Sequence, residues 1–159
     1  MIHKRLKAIV AVVVLSAASA GMAAGGNTGG GDPDTREMLR LPPDERHLVL
    51  LEMRNFVVAM QQIMEGLAKD DMQQVAIAAQ RMGSGAANEV PPVVVAKLPD
   101  TFKTLAGKVH VTFDTIALDA EAMSDIGHTV GQMAELAQFC VACHAIYQID
   151  REAPGMAQQ

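Results

Sequence analysis

The two cysteines of the chain, Cys140 and Cys143, are separated by two residues and followed directly by His144. Residues at positions i, i+3 and i+4 of an α-helix lie on one face, so a helix here directs both thiols and the imidazole the same way. Two thiols can add across the vinyl groups of a haem while the adjacent imidazole reaches the iron, and Cys-x-x-Cys-His is the signature of this attachment. The motif therefore predicts one covalently bound haem, with His144 as the proximal iron ligand.

Other uses of a Cys-x-x-Cys pair agree less well with this sequence. A thioredoxin-like redox motif belongs to an α/β fold, and the chain shows no such pattern. A disulfide across two intervening residues within a helix has poor geometry. A zinc site usually requires a second Cys or His pair nearby. The remaining alternative is a helical protein without haem, in which the two cysteines are incidental.

The first residues of the chain predict export. A basic start at residues 3–7 precedes an apolar run over residues 8–15, and Ala-Ser-Ala at residues 18–20 offers a cleavage site. The apolar run is too short to cross a bilayer. The sequence therefore predicts a signal peptide over residues 1–20, a location in the periplasm, and no stable membrane insertion after cleavage. An uncleaved N-terminal anchor is the alternative.

The charge of the chain limits its partners. The sequence has 13 basic and 18 acidic residues, and the predicted signal peptide removes Lys4, Arg5 and Lys7 from the basic ones. An acidic surface argues against nucleic acid and anionic membranes as partners, and it allows basic redox partner proteins.

The composition predicts an all-α domain. Hydrophobic residues make up 50% of the chain and aromatic residues only 3%, with no Trp, whereas strands favour aromatic and β-branched residues. We expect a flexible Gly-rich leader over residues 21–41, a four-helix bundle over residues 42–151, and a flexible tail over residues 152–159.

Turn and capping residues give approximate bounds for the four helices. The first opens at Pro42-Pro43-Asp44 and runs to about Lys69. Asp70-Asp71 begins the second, which ends at residues 83–85 (Gly-Ser-Gly). Asp100 or Thr101 can cap the third, and Ser124 can cap the fourth, which Pro154-Gly155 closes. The proline-containing segment before the third helix (residues 83–99) is either an extended crossover or a distorted helical turn.

These features together resemble the cytochrome c-prime family, the class II c-type cytochromes. The resemblance covers roughly residues 44–151, and its most specific part is FCVACHAIYQ at residues 139–148. Tyr147 matches an aromatic residue often found there, whereas Gln148 stands where the family commonly has a basic residue. The resemblance implies an antiparallel four-helix bundle with the haem on its C-terminal helix, and it allows a homodimer formed through the first two helices.

The resemblance also places a candidate for the sixth position of the iron. Aligning residues 66–69 with the equivalent turn of the family puts Met53 at the distal position, with Leu50 one turn earlier. A thioether ligand favours reduced iron, so we expect a six-coordinate, low-spin haem in a one-electron carrier that is not an enzyme. The alternative is a five-coordinate haem that binds or scavenges a small gas such as nitric oxide, with Leu50 shielding an open site.

The remaining Met, His and charged residues are weaker candidates. We expect Met60 and Met64 to pack rather than ligate, His110 to be structural, and Glu52 to lie on a solvated face with Arg54. Two histidines are expected to be solvated: His47 and His128. Three arginines are candidates for pairing with haem carboxylates: Arg46, Arg54 and Arg81.

Overall fold

The computed structural model describes residues 34–150, so the predicted signal peptide and the predicted tail lie outside the described residues. Helices dominate the described part, and the prediction of an all-α bundle is confirmed. The five α-helices are α1 (Pro43–Ala68), α2 (Met72–Gln80), α3 (Pro92–Val95), α4 (Asp100–Met123) and α5 (Ile126–Ile146). Two short strands, β1 (Glu37–Leu39) and β2 (Tyr147–Ile149), flank them.

The four longer helices pack in series. Helix α1 packs on α2, α2 on α4, and α4 on α5. Helices α1 and α5, at the two ends of this series, make no comparably extensive backbone contact. Among residues 34–150, no helix is both long and apolar enough to cross a membrane.

The main core lies between α1, α2, α4 and α5. Its largest fully buried side chains include Ile63, Phe113 and Leu136. The Phe113 ring stacks on that of Phe56 with a centroid separation of 5.7 Å. Burying large apolar side chains is the main favourable contribution to folding, so this core holds the helices in their series.

A second apolar cluster lies apart from the main core. It joins Leu39 of β1, Phe102 of α4 and Tyr147 of β2, and the side chains of Met53 and Cys143 pack against it. Cys143 of the Cys-x-x-Cys-His motif and Met53, which the family resemblance singles out, therefore meet at this cluster.

The helix starts agree with the predictions only in part. Asp71 caps α2 as expected, since its carboxylate accepts the backbone N–H of Gln74 at 2.9 Å. Asp100 is the first residue of α4 and does not cap it by a side-chain hydrogen bond. Asp125, not Ser124, caps α5, because Ser124 has a left-handed conformation (φ 51°) in the turn between α4 and α5.

The segment between α2 and α4 combines both predicted forms. Helix α2 ends at Gln80, before the predicted glycine-containing stop. A 3₁₀ helix over Ala86–Glu89 and the single-turn α3 are separated by Val90, whose backbone is extended. Proline is favourable in the first turn of a helix, so Pro92 begins α3 rather than preventing it.

The leader and the last helix both end earlier than predicted. Strand β1, within the predicted flexible leader, pairs in parallel with β2, and Glu37 lies opposite Tyr147. Helix α5 ends at Ile146 instead of continuing toward the predicted stop at Pro154-Gly155. Burial of Tyr147 explains why α5 ends before it: the residue is 7% exposed, and its ring centroid lies 5.6 Å from that of Phe102.

Candidate haem site

The Cys-x-x-Cys-His motif lies in the last turns of α5, in helical backbone as predicted. Both cysteines are free and half-buried, and His144 is exposed. Burial raises the pKa of the Cys140 and Cys143 thiols above the ordinary value. At Cys143 the charge that Cys140 would carry raises the pKa further. Redox-active cysteines have lowered pKa values, so these neutral thiols do not resemble a thioredoxin-type pair.

A cavity of about 170 Å³ lies beside this motif, between α1 and the end of α5. Leu50 and Met53 of α1 line one part of it, and Cys143 and His144 of α5 line another. Phe102 of α4 also faces it. The fold therefore brings Met53 and His144 to one cavity, although they are far apart in the sequence.

The two strands complete the lining of this cavity. Strand β2 contributes all three of its residues, Tyr147, Gln148 and Ile149. The described residues before α1 (residues 34–42), called here the N-terminal segment, contribute Arg36 and Leu39. The lining is thus mainly apolar, with a thiol, an imidazole, a thioether and a guanidinium among its functional groups.

These residues fit a c-type haem. Cys143 lines the cavity and Cys140 lies one turn earlier on α5, so two thiols for covalent attachment accompany a nitrogen and a sulfur ligand for iron. The apolar side chains of the lining suit a macrocycle. Enclosed ligand sites usually measure roughly 300–1,000 Å³, whereas this cavity measures about 170 Å³. A haem would therefore extend beyond this cavity.

The other Met and His candidates lie away from this cavity. Met60 packs against the main core and Met64 is 55% exposed. His47 is exposed, and the His128 ring lies 2.9 Å from an Asp119 carboxylate oxygen. Among the methionines and histidines of the described chain, only Met53 and His144 line the cavity.

His110 of α4, which is buried, pairs with Glu52 of α1, which is partly buried. The His110 side chain is 5% exposed, with Nε2 3.3 Å from a Glu52 carboxylate oxygen and Nδ1 2.8 Å from the Met82 carbonyl oxygen. Burial opposes protonation, but the Glu52 carboxylate and the Met82 carbonyl outweigh it, and the pKa of His110 is raised. His110 is structural as expected, whereas the prediction that Glu52 lies on a solvated face is wrong.

The arginine that reaches the cavity is one that the sequence did not indicate. The Arg46 guanidinium donates to the Asp150 carbonyl oxygen at 2.9 Å, and Arg54 is exposed. Arg81 lies beside Gln62, at other surface cavities. None of these three lines the His144 cavity, whereas Arg36 does.

No family model matches the chain, and no curated protein or solved structure shows significant similarity to it. Within residues 34–150, no three His, Cys, Asp or Glu side chains gather as a metal-binding group.

Proposed function

We propose that this protein is an exported, periplasmic monohaem c-type cytochrome that carries single electrons between partner proteins. The observation that carries the proposal is the shared cavity at which His144 and Cys143 of α5 lie with Met53 of α1. The helical backbone of the motif supports the same function, because it directs both thiols and the imidazole to one face of α5.

The two cysteines, His144 and Met53 have distinct roles in this proposal. Cys140 and Cys143 would hold the haem as thioethers, and His144 and Met53 would be its axial ligands. The haem supplies an iron that alternates between the ferrous and ferric states. A Met thioether raises the reduction potential, and keeping the same two ligands in both states limits the rearrangement that accompanies transfer.

The surroundings of the motif suit electron exchange with another protein. Leu39, Phe102 and Tyr147 are buried around the cavity and exclude water from one side of it. His144 and Ala145 are exposed at the end of α5. A partner can approach this edge, and the acidic composition of the chain favours a partner with a basic surface.

A second candidate function is binding of a small gas at a five-coordinate haem. Leu50 favours it, because this apolar side chain lines the same cavity one turn before Met53. In that protein Leu50 would shield an open iron position, and Met53 would pack against the neighbouring apolar cluster. Carbon monoxide distinguishes the two functions, because it binds readily to an open iron position.

The proposal is tested by producing the full chain, including the predicted signal peptide over residues 1–20, in a host that matures c-type cytochromes. We expect a coloured protein whose mass includes one haem that survives denaturation, and which takes up one electron reversibly. The double variant Cys140→Ala/Cys143→Ala should lose the covalent haem, whereas Met64→Ala should keep it. A colourless wild-type protein from this host would contradict the proposal.

A further inference from the structure

Three contacts hold Arg36 at the edge of the candidate site: the β1–β2 pairing, Gln148 and His144. Arg36 directly precedes β1, whose pairing with β2 brings it to the end of α5. The Gln148 side-chain amide donates to the Arg36 carbonyl oxygen at 3.1 Å. The Arg36 guanidinium donates in turn to the His144 carbonyl oxygen at 3.3 Å. The N-terminal segment is thus attached directly to the residue proposed as the proximal ligand.

The Arg36 guanidinium still has hydrogen-bonding capacity toward the cavity. Its Nε and Nη2 atoms donate to the Asp34 carboxylate, and Nη1 donates to His144. A guanidinium has five N–H groups, so two remain for another acceptor. The pair with Asp34 raises the pKa of Arg36 and lowers that of Asp34 to about 2, so both are charged at neutral pH.

Arg36 is also the only Lys or Arg among the described residues that line the cavity. A haem carries two propionate carboxylates, and a guanidinium matches a carboxylate with two parallel hydrogen bonds. The two remaining N–H groups of Arg36, one on Nη1 and one on Nη2, can donate to such a carboxylate at the cavity.

We propose that Arg36 binds a haem propionate and thereby joins the N-terminal segment to the cofactor. This inference rests on the proposed function, because it requires a haem at the cavity. It goes beyond the family resemblance, which begins at about residue 44. The positive charge of Arg36 favours the reduced haem, which carries one positive charge less than the oxidised haem. Arg36 therefore raises the reduction potential, and Asp34 lowers it by competing for the guanidinium.

A purely structural role for Arg36 predicts a different pattern of effects. In that case Arg36 only attaches the N-terminal segment to α5, and loss of either Arg36 or Asp34 loosens the segment. Both losses then change the haem environment in the same direction. Propionate binding predicts opposite directions, because the two side chains have opposite effects on the charge at the propionate.

The test measures the midpoint potential of the mature holoprotein in four variants. We expect Arg36→Gln to lower the potential, Arg36→Lys to restore most of it, and Asp34→Asn to raise it. Arg40→Gln is the matched control, because Arg40 lies on the same segment, its side chain is 73% exposed, and it does not line the cavity.

Two results would overturn the inference while the proposed function stands. One is that Arg36→Gln carries covalent haem and has the same midpoint potential as Arg40→Gln. The other is a shift in the same direction for Arg36→Gln and Asp34→Asn. Absence of covalent haem from the wild-type protein would overturn the proposed function and this inference together.

Discussion

Replacing Glu52 with Gln tests whether the His110–Glu52 pair between α4 and α1 is charged. The Nδ1 and Nε2 atoms of His110 both face acceptors, the Met82 carbonyl oxygen at 2.8 Å and a Glu52 carboxylate oxygen at 3.3 Å. A neutral imidazole has one N–H donor, whereas the imidazolium has two. The charged form of His110 therefore satisfies both partners, in agreement with its raised pKa.

The expected cost follows from what the substitution leaves behind. Removing one partner of a buried ion pair costs about 3–5 kcal/mol when the other charge remains. In Glu52→Gln, His110 can lose its proton and accept a hydrogen bond from the new amide. The loss then reduces to a charge-assisted hydrogen bond, about 1.5–3 kcal/mol of the free energy of unfolding.

The pH dependence of this effect has a definite sign. Because the folded-state pKa of His110 is raised, the stabilisation is fully present below the unfolded-state pKa of about 6.5. It is lost as the pH rises through the folded-state pKa. The difference between wild type and Glu52→Gln should therefore be larger at about pH 5.5 than at about pH 9.

Urea unfolding of the haem-loaded protein at these two pH values measures the difference. Glu135→Gln is the matched control, since Glu135 is an exposed carboxylate on α5. It should change the free energy of unfolding by less than about 0.5 kcal/mol at either pH. An equal loss for Glu52→Gln at both pH values, or no loss beyond the control, would refute the charged pair.

Two further predictions concern the bundle and are checked by urea unfolding. Phe113→Ala should cost about 3–5 kcal/mol, because this side chain is 0% exposed in the core; Leu118→Ala, at a 66% exposed site on the same helix, should cost much less. Gly83→Ala should cost about 1–3 kcal/mol, since the new Cβ would lie 1.9 Å from an Asp114 carboxylate oxygen and must displace it. Gly107→Ala has no atom within 4 Å of its new Cβ and should instead stabilise α4 by about 0.5–1 kcal/mol. Equal effects within either pair of variants would contradict the packing described.

Local sequence signals predicted the helices that carry the candidate site. The Pro42-Pro43-Asp44 start and the predicted end near Lys69 gave α1, and the bounds found differ from the prediction by about one residue at each end. The Cys-x-x-Cys-His spacing required helical backbone from Cys140 to His144, and α5 provides it. These features depend on residues within a few turns of one another, which a sequence displays directly.

The parts that were missed depend on distant residues. Strands β1 and β2 have three residues each and stabilise one another across more than a hundred residues, so neither carries a periodic pattern of its own. The position of Arg36 at the cavity follows from that pairing, so no local sequence signal predicted it either. The partial burial of Glu52 depends on how α1 is rotated against α4, which local sequence signals leave undetermined.

The position of Met53 shows the limit of pattern reasoning at the candidate site. With 11 methionines in the chain, composition could not select one, and only the family resemblance indicated this position. The cavity now distinguishes Met53 from Met60 and Met64, because only Met53 lies at it. Leu50 lies there too, and the optical spectrum of the proposed holoprotein distinguishes a Met53 ligand from an open position.

The most direct test is the optical spectrum of the oxidised and reduced holoprotein, compared between wild type, Met53→Ala and Met64→Ala. We predict a low-spin wild-type spectrum with the weak red charge-transfer band of iron–methionine ligation in the oxidised state. This band should disappear in Met53→Ala and persist in Met64→Ala. A high-spin wild-type protein that binds carbon monoxide readily would contradict the Met53 ligand and the electron carrier, and would favour the gas-binding protein.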